Sequence, residues 1–269
     1  MRALLAVGTG RYADPWHPFA ENASAIGDLL ADDGWTVTVD DDVDHALASL
    51  DGVDLLVVIA GDPWGPSADP APAVESPLVE RSAAGASTPP VVERSAAGIP
   101  PVVERSAAGA ETKRPIPPAS SSGLRDAAQR GIGILALHAA VASLRDYPHW
   151  PALTGAIWLP GVSMHPPFEV AAEIRVLPHP LTDGLTDFTV ADERYAHLQF
   201  TGDVEVLADH EQDGQRHPLV FTREVATASD ATTRVAVDLL GHDPRSYDSP
   251  SHRDLLRRLA RWASASPGR

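Results

Sequence analysis

The sequence predicts an α/β protein built on an open, mostly parallel sheet flanked by helices, and three observations carry that reading. Residues 55–59 and 132–137 are continuous apolar runs of strand length, the pattern of strands buried on both faces. Residues 19–30 place Phe19, Ala23, Ile26, Leu29 and Leu30 at helical spacing, as a helix that packs one side on such a sheet does. Residues 132–137 then end on a single polar residue, His138, followed by small residues. A side chain at that corner stands over the carboxyl edge of the sheet, where open α/β sheets place their ligand sites.

The elements follow in order. Residues 4–7 read as the first strand, 19–30 as its helix, 35–39 as the second strand and 54–60 as the third. A helix should come next, but residues 63–120 are rich in Pro, Ala, Ser and Gly and repeat Val-Glu-Arg-Ser-Ala-Ala-Gly identically at 79–85, 92–98 and 103–109. Stackable structural repeats are longer and diverge at solvent positions, so this stretch is expected to be a disordered, low-complexity insertion within one domain spanning 1–265. A short helix over 122–131, ended by Gly131, leads into the fourth strand. Residues 139–144 begin a helix that Tyr147-Pro-His-Trp-Pro151 breaks, and 155–200 alternates strand-like pieces with proline turns. Strands are expected at 204–208, 218–222 and 234–240. A closing helix over 250–263 packs through Leu255, Leu256, Leu259 and Trp262, with Arg257, Arg258 and Arg261 on its solvated side.

Composition removes several functions. With 37 acidic against 21 basic residues the net charge is −16, which disfavours nucleic acid and anionic membranes as partners. The one lysine, Lys113, lies in the insertion, so Schiff-base chemistry and a phosphate-loop lysine have no residue to use. There is no cysteine, which removes thiol nucleophiles, disulfides and thiolate metal sites. Gly8-Thr-Gly10 lacks the third glycine of a dinucleotide fingerprint, so no nucleotide cofactor is expected. No Gly-x-Ser-x-Gly elbow is present, and Ser143 stands beyond the corner, against a serine hydrolase. The absence of a signal-like N-terminus and of long apolar runs leads to the expectation of a cytoplasmic protein.

What remains is histidine. His138 and His242 follow strongly apolar strands, and His17 sits in the loop after the first strand, so all three belong to one edge of a parallel sheet. His165, from the middle section, could close over them. Imidazoles with a carboxylate such as Glu193 or Asp243 can bind zinc or a similar divalent ion; without metal, a histidine beside a carboxylate makes a general base. The helix expected after His138 favours its neutral form. No His-x-x-x-His spacing supports the metal reading, which rests on spatial convergence. His149, His179, His210, His217 and His252 read as surface or turn residues, and Asp192-Glu193-Arg194-Tyr195 by itself reads as a solvated acidic turn.

Five segments occur in a familiar order: Gly133-Ile-Leu-Ala-Leu-His-Ala-Ala140, His179-Pro-Leu-Thr-Asp-Gly-Leu185, Asp192-Glu-Arg-Tyr195, Pro218-Leu-Val-Phe-Thr-Arg223 and Gly241-His-Asp-Pro-Arg-Ser-Tyr-Asp248. Together they resemble the trehalose-utilisation (ThuA-like) family of the class I glutamine amidotransferase-like superfamily, over nearly the whole chain except about 63–120. The resemblance implies a flavodoxin-like sheet and a role in the use of trehalose or related or oxidised disaccharides. Amidotransferases carry a catalytic cysteine at the corner held here by His138, and a histidine partner where His242 stands; without a thiol, glutaminase activity is excluded. The resemblance also raises Glu193 and Tyr195 as site residues.

The expected protein is therefore a sugar-acting enzyme, a hydrolase or isomerase. His138 and His242 are base or metal ligands, Glu193 is acid or ligand, and His17, His165, Tyr195 and Asp243 line the substrate pocket. The rival is a non-catalytic sugar-binding or regulatory module of the same fold. A small-molecule carbohydrate is the expected partner, with a homo-oligomer left open. Trp16, Trp64, Trp150 and Trp158 could stack on sugar faces, though core packing suits most of them.

Overall fold

The structure, a computed structural model, describes residues 1–62, 116–229 and 231–265. Strand β1 (Arg2–Val7) leads into helix α1 (Phe19–Asp32), β2 (Thr36–Asp40), α2 (Val43–Ala48) and β3 (Leu55–Ile59). The chain resumes with α3 (Pro118–Gln129) and β4 (Gly133–Leu137), followed by α4 (Trp150–Thr154), β5 (Ala156–Ile157), β6 (Glu169–Val176) and β7 (Phe188–Asp192). Then come β8 (Gln199–Phe200), β9 (Glu205–Gln212), β10 (Gln215–Ala226), β11 (Thr232–Asp238) and α5 (Pro250–Ser264).

One nine-stranded sheet has the order β2-β1-β3-β4-β11-β10-β9-β6-β7. The five strands from β2 to β11 pair in parallel. All five residues of β3 and all five of β4 are buried, as their unbroken apolar sequences require of central strands. Helices α1 and α5 touch each other and pack on β3, and α2 and α3 pair as a second group. The end of α5 presses so closely on β4 that a side chain on Gly133 would stand 2.6 Å from the Ala263 carbonyl oxygen.

Several expectations need correction. The parallel arrangement holds for the central five strands, but β10, β9, β6 and β7 extend the sheet in antiparallel fashion. The expected short strands at 204–208 and 218–222 are arms of one long hairpin, closed at Asp213-Gly214, where both residues have positive φ (52° and 74°). That is the backbone a two-residue hairpin turn demands, and polar residues in the outer arms hid the strands. Helix α2 was not foreseen, being one short amphipathic turn capped by the Asp42 carboxylate on the His45 N–H. The helix expected over 122–131 begins earlier, at Pro118, so 118–120 do not belong to the insertion; residues 63–115 lie outside the described residues, as does Trp64. No helix among the described residues is long and apolar enough to cross a membrane.

Candidate metal and sugar site at the carboxyl edge

Parallel pairing puts the ends of β1, β4 and β11 on one edge, and each delivers a histidine there. His138 follows β4 directly and is 3 % exposed, at φ 44°, a left-handed conformation unusual for a residue with a side chain. The corner continues as a short 3-10 turn, His138–Val141, rather than the α-helix expected, so no helix dipole sets the state of this imidazole. Burial does: it drives the His138 pKa well below its ordinary value, and the neighbouring imidazoles of His17 and His242 add to the effect.

The Nδ1–H of His138 donates to the Leu239 carbonyl at 2.7 Å, which leaves Nε2 as a bare lone pair. That Nε2 is buried and has no hydrogen-bond partner. His17 is fixed in the same sense: both carboxylate oxygens of Asp14 lie 2.8 Å from its Nδ1, so Nε2 is the atom it offers. The three imidazoles of His17, His138 and His242 form a triangle with centroid separations of 5.0, 4.9 and 5.4 Å. With Glu193, the residue after β7, they can each supply one ligand atom such that all four atoms lie within 4.8 Å of one another.

Glu193 and His242 are electrostatically linked. Their carboxylate oxygen and Nδ1 lie 3.2 Å apart, close enough for the charge of each to set the protonation of the other. Burial pushes the His242 pKa down, yet the Glu193 carboxylate more than offsets it and the net direction is up. Glu193 moves the opposite way: burial raises it, but His242, His165 and His17 together bring it below the usual carboxylate range. An acidic turn in solvent would show none of this, and the solvated reading of 192–195 is corrected.

Around the four residues stands an aromatic wall. The Tyr195 ring lies 4.3 Å from that of His138, and Trp158 meets Tyr195 edge-on at 4.6 Å. His165 is at the exposed rim, its Nδ1 3.5 Å from the Glu193 carboxylate. Phe168 flanks His242 at 5.8 Å. Asp243 is placed differently: its carboxylate pairs with the Arg245 guanidinium and caps the turn Pro244–Asp248. Trp150 is core, with its indole N–H on the Ala140 carbonyl, and Trp16 is exposed next to His17.

Against this geometry, the family model described as "ThuA: Trehalose utilisation" matches residues 103–263. The chain belongs to the ThuA family. Solved ThuA-like proteins share its fold: one from Parabacteroides merdae has a TM-score of 0.66 at 16% identity, covering 98% of this chain and 90% of its own. A second, from Bacteroides uniformis, gives 0.61 at 15%, with 97% and 90% covered. A cytoplasmic protein of Salmonella typhimurium LT2 gives 0.52 at 10%, with 98% and 99% covered. No curated protein matches the sequence.

In this ThuA chain the edge also holds residues that sequence reasoning missed. Asp14, three residues before His17 in the same loop, orients that imidazole, and the spacing was a usable signal. Asp192 is wholly buried, and burial pushes its pKa up to about 6 although hydrogen bonds from Ser246, Gly241 and His242 and the charge of His252 pull it back. His252, His210 and His217, read as surface residues, are 0 %, 1 % and 7 % exposed. His252 pairs with Asp238 inside the core; His210 donates from Nε2 to the Tyr195 carbonyl, and His217 packs beside it. Their sequence context is polar, so burial by long-range packing left no local trace.

Proposed function

We propose that His17, His138, His242 and Glu193 hold a divalent metal ion of the zinc class, and that this centre serves an enzyme acting on a carbohydrate. The observation that carries the proposal is the Nε2 of His138: a bare, buried lone pair with no partner, at the meeting point of two further imidazoles and a carboxylate. A buried acceptor left unpaired costs about 1–3 kcal/mol, and a metal removes that cost. Three nitrogens and one oxygen suit zinc, and Asp14 and the Leu239 carbonyl already provide the outer hydrogen bonds that metal-binding histidines make. His138 itself suits a ligand better than a base, because a histidine whose pKa is driven well below its ordinary value is neutral but a poor proton acceptor.

A bound divalent ion supplies Lewis acidity towards a sugar oxygen. The chain's own residues do the rest. Glu193, held ionised, can accept a hydrogen bond from a sugar hydroxyl, while Trp158, half-buried against the buried Tyr195 ring, offers an apolar face to a pyranose and His165 closes the rim. The link to sugar rests on the family's association with trehalose utilisation, and hydrolysis or isomerisation are the reactions such a centre suits. The five parallel strands, counted among themselves, run 2-1-3-4-5, which supports a flavodoxin-like, amidotransferase-like class for the fold. Glutaminase chemistry has no nucleophile here, since the chain has no cysteine.

The test is elemental analysis of protein purified without a histidine tag, alongside a His138→Ala, His242→Ala double variant. Near-stoichiometric metal in the native protein and none in the variant supports the centre and directs a turnover screen over disaccharides and their keto forms. Absence of metal in both, after loading with zinc, removes it. Tight sugar binding with no turnover points to the binding-module reading.

A further inference from the structure

Two arms of the site come from distant parts of the chain, Glu193 after β7 and His242 after β11, and one buried carboxylate ties them together. Asp192 Oδ1 accepts the backbone N–H of Glu193 at 2.8 Å and that of His242 at 3.0 Å. Its Oδ2 accepts the Gly241 N–H at 2.7 Å and the Ser246 hydroxyl. Four donors fill the capacity of a carboxylate, and the residue is 0 % exposed.

The carboxylate is itself braced. Ser246 Oγ lies 3.0 Å from His252 Nδ1, whose N–H also reaches the Ser246 carbonyl at 3.0 Å. His252 Nε2 meets Asp238 Oδ2 at 2.9 Å, and Asp238 Oδ1 takes the Leu240 N–H at 3.0 Å. Ser246, His252 and Asp238 are the residue types of a nucleophilic triad, in hydrogen-bonding order. All three are fully buried, and the serine proton is committed to Asp192, so the set cannot attack a substrate. Its effect is on the segment between Asp238 and His242. That segment carries the Leu239 carbonyl that orients His138 and the two N–H groups that Asp192 holds.

We propose that Asp192 is the positioning residue of this site: it sets the separation of Glu193 and His242, and the buried Ser246–His252–Asp238 chain keeps it in register. Asparagine cannot replace it, because a backbone N–H points at each carboxylate oxygen and the amide NH2 would face one of them in either orientation. This inference rests on the metal-centre reading for its zinc readout, and on the metal-free protein for its second.

The experiment compares wild type, Asp192→Asn, Ser246→Ala and His252→Gln in two ways. Zinc affinity is measured by competition with a chelator, and the His242 ring resonances of the metal-free protein are recorded by NMR at fixed pH. The expected result is a loss of about 10- to 100-fold in zinc affinity for Asp192→Asn, with a smaller loss for Ser246→Ala and His252→Gln, as outer-shell changes give. The His242 resonances should shift in the same order. Variants that are folded by circular dichroism yet keep both wild-type affinity and wild-type His242 resonances overturn the proposal. If Asp192→Asn does not fold, Ser246→Ala, which leaves the three backbone contacts to Asp192 in place, decides the matter. If wild type binds no zinc, the metal reading falls, and the positioning role is accepted or rejected on the resonances alone.

Discussion

Asp14 and His17 meet at 2.8 Å through both carboxylate oxygens, and the same Asp14 also accepts the Trp16 and His17 N–H groups. One loop of four residues thus fixes the ring of His17 and the tautomer it presents. Burial raises the Asp14 pKa, but the hydrogen bond and charge of His17 outweigh it and the net direction is down, so the carboxylate stays ionised. Asp14→Asn should leave the fold intact and weaken zinc binding about 10- to 100-fold, measured by chelator competition. Unchanged affinity would remove Asp14 from the metal site's support.

Proton competition should be visible in the pH dependence of metal binding. His242 has a pKa raised above 6.5 by Glu193, whereas His138 is held well below it. Zinc affinity should therefore fall as pH drops through the His242 pKa, by about tenfold per pH unit for each ligand proton displaced. His138 adds no break of its own near neutrality. A profile with no change between about pH 5.5 and 8.5 would contradict His242 as a ligand.

The His252–Asp238 pair makes a separate prediction about stability. Burial lowers the His252 pKa but Asp238 raises it further, and the net folded value lies above the ordinary 6.5. The folded state binds the proton more tightly, so the stabilisation is fully present below about pH 6.5 and is lost as pH rises through the folded pKa. Removing one partner of a buried pair costs about 3–5 kcal/mol. His252→Gln should show its largest loss of stability near pH 6 and a smaller one at high pH, read from urea midpoints. A loss that grows with pH would reverse the assignment.

Gly133 tests the packing of α5 on β4. A methyl group there would stand 2.6 Å from the Ala263 carbonyl oxygen and 2.8 Å from the Ser264 nitrogen. Backbone must move to admit it, so Gly133→Ala should cost about 1–3 kcal/mol in chemical denaturation. Because β4 also delivers His138, zinc affinity should fall with it. A neutral substitution would show that the end of α5 yields.

Local pattern encodes the elements that need no distant partner. The unbroken apolar runs of β3 and β4 read as strands buried on both faces, and the face of α1, with Phe19, Ala23, Ile26, Leu29 and Leu30 buried, was written at helical spacing. His138 and His242 were legible because a polar residue after such a strand has one edge to occupy. The rest was decided by contacts between distant residues. Asp192 lies 50 positions from His242 and Ser246 sits 54 from Asp192, and no periodicity marks a carboxylate that is to be buried under four donors. The polar arms of the β9–β10 hairpin and the core positions of His210, His217 and His252 were hidden for the same reason. Burial of a polar side chain is permitted only by partners supplied by the tertiary fold, and the local sequence does not name them.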